Sequence, residues 1–349
     1  MPRVFSGIQP SGDLHLGNHL GAIVNWVAMQ DSHDATYCIV DLHATTDGHD
    51  PAELRRRTLE MATVLLAAGI DPGRSTLFVQ SHAPEHAQAA WLFNCIAGFG
   101  ELGRMPQFRD KADKAQARGD QVSVGLFGYP VLQAVDIVLH DADEVPVGED
   151  QRHHIELARD LAQRFNHRFA TEDDPVFVLP RAVHPPAAAR VMDLQDPTSK
   201  MSKSSGSDKG IVYVLDDPGR VAKKIRSAVT DSDAEVRFER DAKPGVSNLL
   251  EINAAATGRT VEQVVEEFGG GQYGPLKVAT ADAVVELLRP VRERHAELVD
   301  DPGEVARQLA VGAAKAREQA GPVLARAFDV MGFLPPLPPG DRYAADPRD

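Results

Sequence analysis

Two cysteines in 349 residues leave this chain with little capacity for redox or thiolate chemistry. Cys38 and Cys95 both sit in apolar surroundings, so buried free thiols are expected, and neither a disulfide nor a metal site. Long apolar runs are missing too. No stretch approaches the ~20 residues that cross a bilayer, and the first residues, MPRVFSGIQPSG, contain no basic segment followed by an apolar run of the secretory type. Positive charge is scarce: 37 Lys and Arg against 51 Asp and Glu give a net charge of −14, which argues against broad binding to polyanions. Arg55, Arg56 and Arg57, and again Lys223, Lys224 and Arg226, are either solvated helix faces or local basic patches that favour one shaped RNA. GxxxxGK and GxGxxG are absent, which disfavours a P-loop ATPase or a nicotinamide enzyme. With no HExxH and no Cys/His ligand set, His153-His154 reads as a pair on a helix surface.

What is present is an ordinary globular composition, 43% hydrophobic, over a length that suggests about two domains. The first half alternates strand-like and helix-like segments. Residues 3–7, 35–41, 75–80 and 144–147 read as strands. Helices are expected from about His15 to Gln30, from the strong start Asp50-Pro51-Ala52-Glu53 to Gly69, over 84–97, over 125–140 and over 149–166. This order predicts an α/β fold with a doubly wound parallel sheet. Residues 103–122 are charged and aperiodic and read as a mobile surface loop. Beyond Ser205 helix follows helix (217–229, 246–256, 259–268, 278–299, 303–331), which predicts a second, all-helical domain. Pro322 is expected to kink or break the last of these helices. The tail from Pro335 is expected to be disordered. The working division is 1–205, 206–334 and 335–349.

Three segments carry chemistry. FSGIQPSG, leading into His15-Leu16-Gly17-Asn18, lies between the first strand and the first helix, where backbone N–H groups meet anions. Taken alone it is equally a Gly-rich turn with a helix cap. Lys200-Met201-Ser202-Lys203-Ser204 places two lysines three residues apart among hydroxyls, which suits a pyrophosphate leaving group or simply makes a basic loop. Gly148-Glu149-Asp150-Gln151 puts acids at a strand end, either for ribose hydroxyls or for a helix dipole.

Together, HLGN and KMSKS resemble the HIGH and KMSKS signatures of class I aminoacyl-tRNA synthetases. FSGIQPSG, GEDQ and SAVTDS at 227–232, with Asn18 at the second histidine position of HIGH, narrow the resemblance to the bacterial tryptophanyl branch, over about 3–334. The resemblance implies a Rossmann-like core ending in the KMSKS loop, then a helical tRNA anticodon-binding domain whose last helix returns to the core. It implies a cytoplasmic homodimer that takes L-tryptophan, ATP with Mg2+ and the tRNA for tryptophan, with no protein-bound metal and neither membrane nor DNA as a partner. Gln9, Asn18, Lys111, Lys200 and Lys203 then match residues around the ATP phosphates, and His15 the first HIGH position; His15, Asn18, Lys111, Lys200 and Lys203 form the catalytic set. Ser11, Gly17 and Ser202 fall in the nucleotide-binding segments. Gly148, Val191 and Met201 match the adenine pocket, and Asp150 the ribose contact. Tyr129 and Gln151 match the groups that hold the amino acid's ammonium, and Asp136 the acceptor for the indole N–H. Phe5, Gly7, His43, Val145 and Val147 match the indole pocket, with Gln133 where many members carry Met.

The implied chemistry needs no enzyme nucleophile. The amino-acid carboxylate attacks the α-phosphorus of ATP, pyrophosphate leaves, and lysines and N–H groups stabilise the moving charge. Tryptophan offers one side-chain donor, so a carboxylate in the apolar run VLQAVDIVL is a discriminating partner. Helix 84–97, with Ala87, Ala90, Trp91, Phe93, Asn94, Ile96 and Ala97, is apolar around much of its circumference, and a two-fold partner would cover its outer side. A tyrosyl enzyme of the same fold, a nucleotidyltransferase that uses no tRNA and a non-catalytic paralogue are the alternatives. GEDQ with the single Asp136 acceptor, the long helical half, and the intact His15, Asp136, Lys200 and Lys203 argue against them in turn. Pro106 and Arg109 in the 103–122 segment, and the run 184–189, depart from the commoner pattern.

Overall fold

The computed structural model describes residues 1–46, 48–148, 151–183, 190–202, 208–233 and 235–336. Five parallel strands form one sheet in the order β3-β2-β1-β4-β5: β1 (Arg3–Ile8), β2 (Asp34–Ile39), β3 (Thr76–Val79), β4 (Glu144–Pro146) and β5 (Arg181–Val183). Four were legible from their apolar runs. β5 was not, because three residues at a sheet edge carry no period. The chain winds outward from β1 to β3, then returns to the other side of β1, so the direction reverses between β1 and β4.

Successive strand residues point to opposite faces, and the core divides accordingly. Val4, Ala35, Tyr37, Ile39, Leu77 and Val79 face one side, under the helices at 16–29 and 51–67 and the helical second half. Phe5, Cys38, Val40 and Phe78 face the other, under the helices Glu85–Asn94, Val124–Val138 and Arg152–Phe169. On the first face Trp26 stacks on Tyr37 with ring centroids 4.8 Å apart, and the Tyr37 hydroxyl donates to the Trp26 carbonyl at 2.7 Å. Both strand faces are therefore apolar, as a parallel sheet covered by helices requires.

Local signals set most helix starts. Asp50 accepts from the Glu53 N–H at 2.8 Å ahead of Pro51. The first helix begins at Leu16, turns once in π geometry over His19–Ile23 and ends at Met29. Four expectations need correction. The segment read as a loop forms the helix Pro106–Ala117: Pro106 opens it, and good helix formers fill a helix with one narrow buried stripe, Ala112 and Ala115. The last helix runs unbroken from Pro302 to Val330 with Pro322 inside it, on an exposed side. Cys95 is exposed, one residue past the C-terminus of its helix, and only Cys38 is a buried thiol. Lys224 belongs to no surface patch; it is 6% exposed and bonds to Asp216 at 2.8 Å and to the Ile211 carbonyl at 2.7 Å.

The second half comprises the helices Pro218–Arg226, Pro244–Thr257, Val261–Phe268, Tyr273–Asp300 and Pro302–Val330. Three of these start before their expected positions, the helix at Tyr273 by more than a turn. The 205/206 boundary and residues 337–349 lie outside the described residues. The last helix crosses back over the sheet, giving Val305 and Leu309 to one apolar cluster and Ala316, Ala320, Val323, Leu324 and Ala327 to the other. Gly312 makes the crossing possible: a Cβ there would fall 1.7 Å from the Leu77 carbonyl oxygen in β3. In an open helix Gly→Ala gains up to ~1 kcal/mol. At Gly312 the clash with backbone outweighs that gain, so Gly312→Ala is expected to cost about 1–3 kcal/mol in urea unfolding. A stabilised variant would refute the close approach.

Candidate active site

A cavity of about 470 Å3 opens outside the carboxyl ends of β1 and β4, where the winding direction reverses. All nine residues predicted for the substrate line it: Phe5 and Gly7 from β1, His43 beyond β2, Tyr129, Gln133 and Asp136 on one face of the helix Val124–Val138, Val145 in β4, and Val147 and Gln151 just after it. Gln9, Lys111 and Gly148, predicted for the nucleotide, line the same cavity. The Lys111 ammonium lies 4.5 Å from the centre of the Tyr129 ring. It reaches there because residues 106–117 are helical.

Asp136 is the centre of the site. It is 1% exposed, and three donors converge on it: Gln80 Nε2 at 2.7 Å and His86 Nδ1 at 2.7 Å on Oδ1, and His43 Nε2 at 2.9 Å on Oδ2. Burial acts to raise its pKa. The hydrogen bonds from His43 and His86 override it and hold the carboxyl well below the usual carboxylate range. A carboxylate offers about four acceptor positions, so three contacts leave roughly one, on Oδ2. Among the described residues Asp136 is the one carboxylate that lines the cavity, beside apolar and aromatic walls and the amides Gln9, Gln107, Gln133 and Gln151. Tyr129 bonds through its hydroxyl to His154 Nε2 at 3.1 Å, and burial pushes its pKa up to about 12, so it stays a neutral donor-acceptor.

A second group gathers beside the first helix. His15 is 7% exposed and caps the helix: its Nδ1 accepts from the Asn18 N–H at 3.3 Å, while Asn18 Oδ1 accepts from the His15 N–H at 3.2 Å. Gly17 lies under the His15 ring, and a Cβ there would sit 3.0 Å from Nδ1 and 3.7 Å from Val191. Val191 and Met201 are buried, and the Met201 N–H donates to the Val191 carbonyl at 3.1 Å. Gly17 and Met201 thus share Val191 as a neighbour, with Lys200 exposed, Ser202 partly covered and Ser11 exposed. Asp150, Lys203 and the run 184–189 lie outside the described residues.

Sequence reasoning missed Gln80, His86 and His154. His154 was read as half of a surface pair. His153 is exposed, but His154 is 2% exposed and lines the cavity. Leu157 and Ala158, buried three and four residues further on, carried the signal that this face of the helix is covered. Gln80 and His86 had none, since their partner stands about 50 residues away.

The family model described as tRNA synthetases class I (W and Y) matches residues 1–289. The tryptophan–tRNA ligase of Mycobacterium leprae is 54% identical over 338 residues, covering 95% of this chain and 97% of its own. The crystal structure of tryptophanyl-tRNA synthetase from Mycoplasma pneumoniae superposes with a TM-score of 0.84 at 37% identity, covering 95% of this chain and 98% of that one. That of the Campylobacter jejuni synthetase, complexed with ADP and tryptophan, gives 0.79 at 32% identity, covering 95% and 100%.

Proposed function

The chain belongs to the class I tRNA synthetases of the tryptophan and tyrosine group, and from that premise we propose that it activates L-tryptophan with ATP and transfers it to the tRNA for tryptophan. The observation that carries the choice of amino acid is the buried Asp136 carboxylate, with about one acceptor position left open to an apolar cavity. Indole supplies one N–H donor and nothing for the floor of the pocket to donate to. Relatives more than half identical carry the same activity in their names.

In this reading Phe5, Gly7, His43, Gln133, Val145 and Val147 enclose the indole, and Tyr129 and Gln151 hold the ammonium. The tryptophan carboxylate attacks the α-phosphorus of ATP, and pyrophosphate departs opposite it. Gln9, Asn18, Lys111, Lys200 and Lys203 follow the charge that moves onto the leaving group, which positioning and preorganised donors alone can stabilise. Ser11, His15, Gly17 and Ser202 bind ATP with them, Gly148, Val191 and Met201 hold the adenine, and Asp150 the ribose. Mg2+ enters with ATP, and the enzyme works in the cytoplasm. Residues 1–205 form the catalytic unit and 206–334 read the anticodon.

Amino-acid-dependent ATP–pyrophosphate exchange tests the choice of substrate. Tryptophan is expected to drive exchange and tyrosine not to; exchange driven by tyrosine would make this a tyrosyl enzyme. Asp136→Asn is expected to lower kcat/KM for tryptophan by about 10–100-fold and to leave the KM for ATP within about twofold. An unchanged kcat/KM would remove Asp136 from recognition.

The working form in this reading is a two-fold homodimer. The helices Glu85–Asn94 and Val124–Val138 pack against each other yet leave Trp91 69% and Val124 87% exposed, and Phe99, its ring tilted against that of Phe127, is 80% exposed. Large apolar side chains left bare on adjoining elements favour a partner surface. Sedimentation at micromolar concentration is expected to give twice the chain mass. A monomer that charges tRNA at full rate would contradict the assembly.

A further inference from the structure

Behind Asp136 a chain of buried polar contacts crosses the far face of the sheet. His86, whose Nδ1 holds Asp136 Oδ1, turns its Nε2 to His140 Nε2 at 3.2 Å. His140 Nδ1 in turn faces Gln319 Oε1 at 3.0 Å, and the Thr36 hydroxyl donates to the same oxygen at 3.2 Å. His86 is fully buried and His140 is 3% exposed. His140 also stacks on Phe5, a wall of the cavity, with ring centroids 5.3 Å apart at 17°. Gln319 lies on the last helix, Pro302–Val330, and borders a separate polar cavity at the opposite end of the strands. None of these four groups belongs to the site as read from the sequence.

With the Gln319 amide oxygen facing His140, a proton count gives the direction of the chain. An amide oxygen only accepts, so His140 Nδ1 carries a proton toward Gln319. Burial pushes the His140 pKa down to about 3, so the ring is neutral and its Nε2 is a bare acceptor. The facing His86 Nε2 must then donate. His86 Nδ1 must donate as well, since Asp136 is ionised. His86 is then the donor at both ends, to Asp136 Oδ1 and to His140 Nε2. With Gln80 also on Oδ1, that oxygen is filled. Oδ2 holds only His43 and retains the open position.

We propose that the Gln319–His140 pair holds His86 as an imidazolium that saturates Asp136 Oδ1, so that Oδ2 alone is left for the indole N–H, and that Gln319 on the C-terminal helix is thereby a positioning residue for tryptophan. The proposal rests on Asp136 being the indole acceptor. It makes tryptophan affinity depend on a helix that never touches the cavity, and a shift of that helix against β2 would be felt at the pocket floor.

Kinetics and spectroscopy on the full-length protein test it. Gln319→Met, which keeps the length and loses the acceptor, is expected to raise the KM for tryptophan about tenfold, with the KM for ATP unchanged. Gln319→Glu, which keeps an oxygen there, is expected to restore it. Long-range 1H–15N spectra of the wild-type imidazoles are expected to show both nitrogens of His86 protonated and His140 protonated on Nδ1 only. A bare His86 Nε2 reverses the chain and overturns the proposal, as does an unchanged tryptophan KM in Gln319→Met. Asp136→Asn, measured alongside, separates the two failures. If it leaves tryptophan recognition intact, the indole reading itself is wrong. If it impairs recognition while Gln319→Met does not, only the relay is wrong.

Discussion

A carboxylate shut away from water must be answered by donors, and Asp136 draws its donors from three separate parts of the chain. His43 comes from the turn after β2, Gln80 from the turn after β3, and His86 from the helix that follows. Removing one partner of such a buried ionic contact costs about 3–5 kcal/mol. The same group therefore ties the carboxyl ends of two strands to the helix Val124–Val138 and furnishes the polar feature of the cavity floor. Recognition and local stability depend on one side chain. A change there cannot alter one without the other.

The remainder of the site follows from where the sheet reverses. Because β4 lies on the opposite side of β1 from β2, the ends of β1 and β4 diverge and leave a crevice that their own helices do not fill. Alternation along β1 turns Phe5 toward that crevice and Val4 away from it. The first helix, capped by the reciprocal His15–Asn18 bonds, brings Gly17 against Val191 and so joins the start of the chain to the segment that leads into the KMSKS loop. The reversal of winding thus places the socket that carries the Asp136 carboxylate.

Much of this was legible in the sequence. Short apolar runs, the Asp50-Pro51 start and the turn residues marked four strands and most helices, and the motif resemblance pointed to all nine substrate residues and to Gln9, Lys111 and Gly148 among those that line the cavity. The failures have a common physical origin. The helix Pro106–Ala117 buries too narrow a stripe to show a period, and β5 is too short to have one. Pro322 is harmless because its side of the helix faces water. Gln80, His86, His140 and Gln319 matter through partners 50 to 283 residues distant, and a linear pattern contains nothing of such contacts. His154 was the one miss with a readable cue.

The central claim is that one N–H···carboxylate bond, to Asp136, selects the amino acid. Calorimetric titration with tryptophan and with its isostere 3-benzothienylalanine, which replaces the N–H by sulfur at nearly the same volume, isolates that bond. The account predicts that the isostere binds at least about 100-fold more weakly, because it leaves an ionised acceptor unpaired. Equal affinity for the two would contradict it.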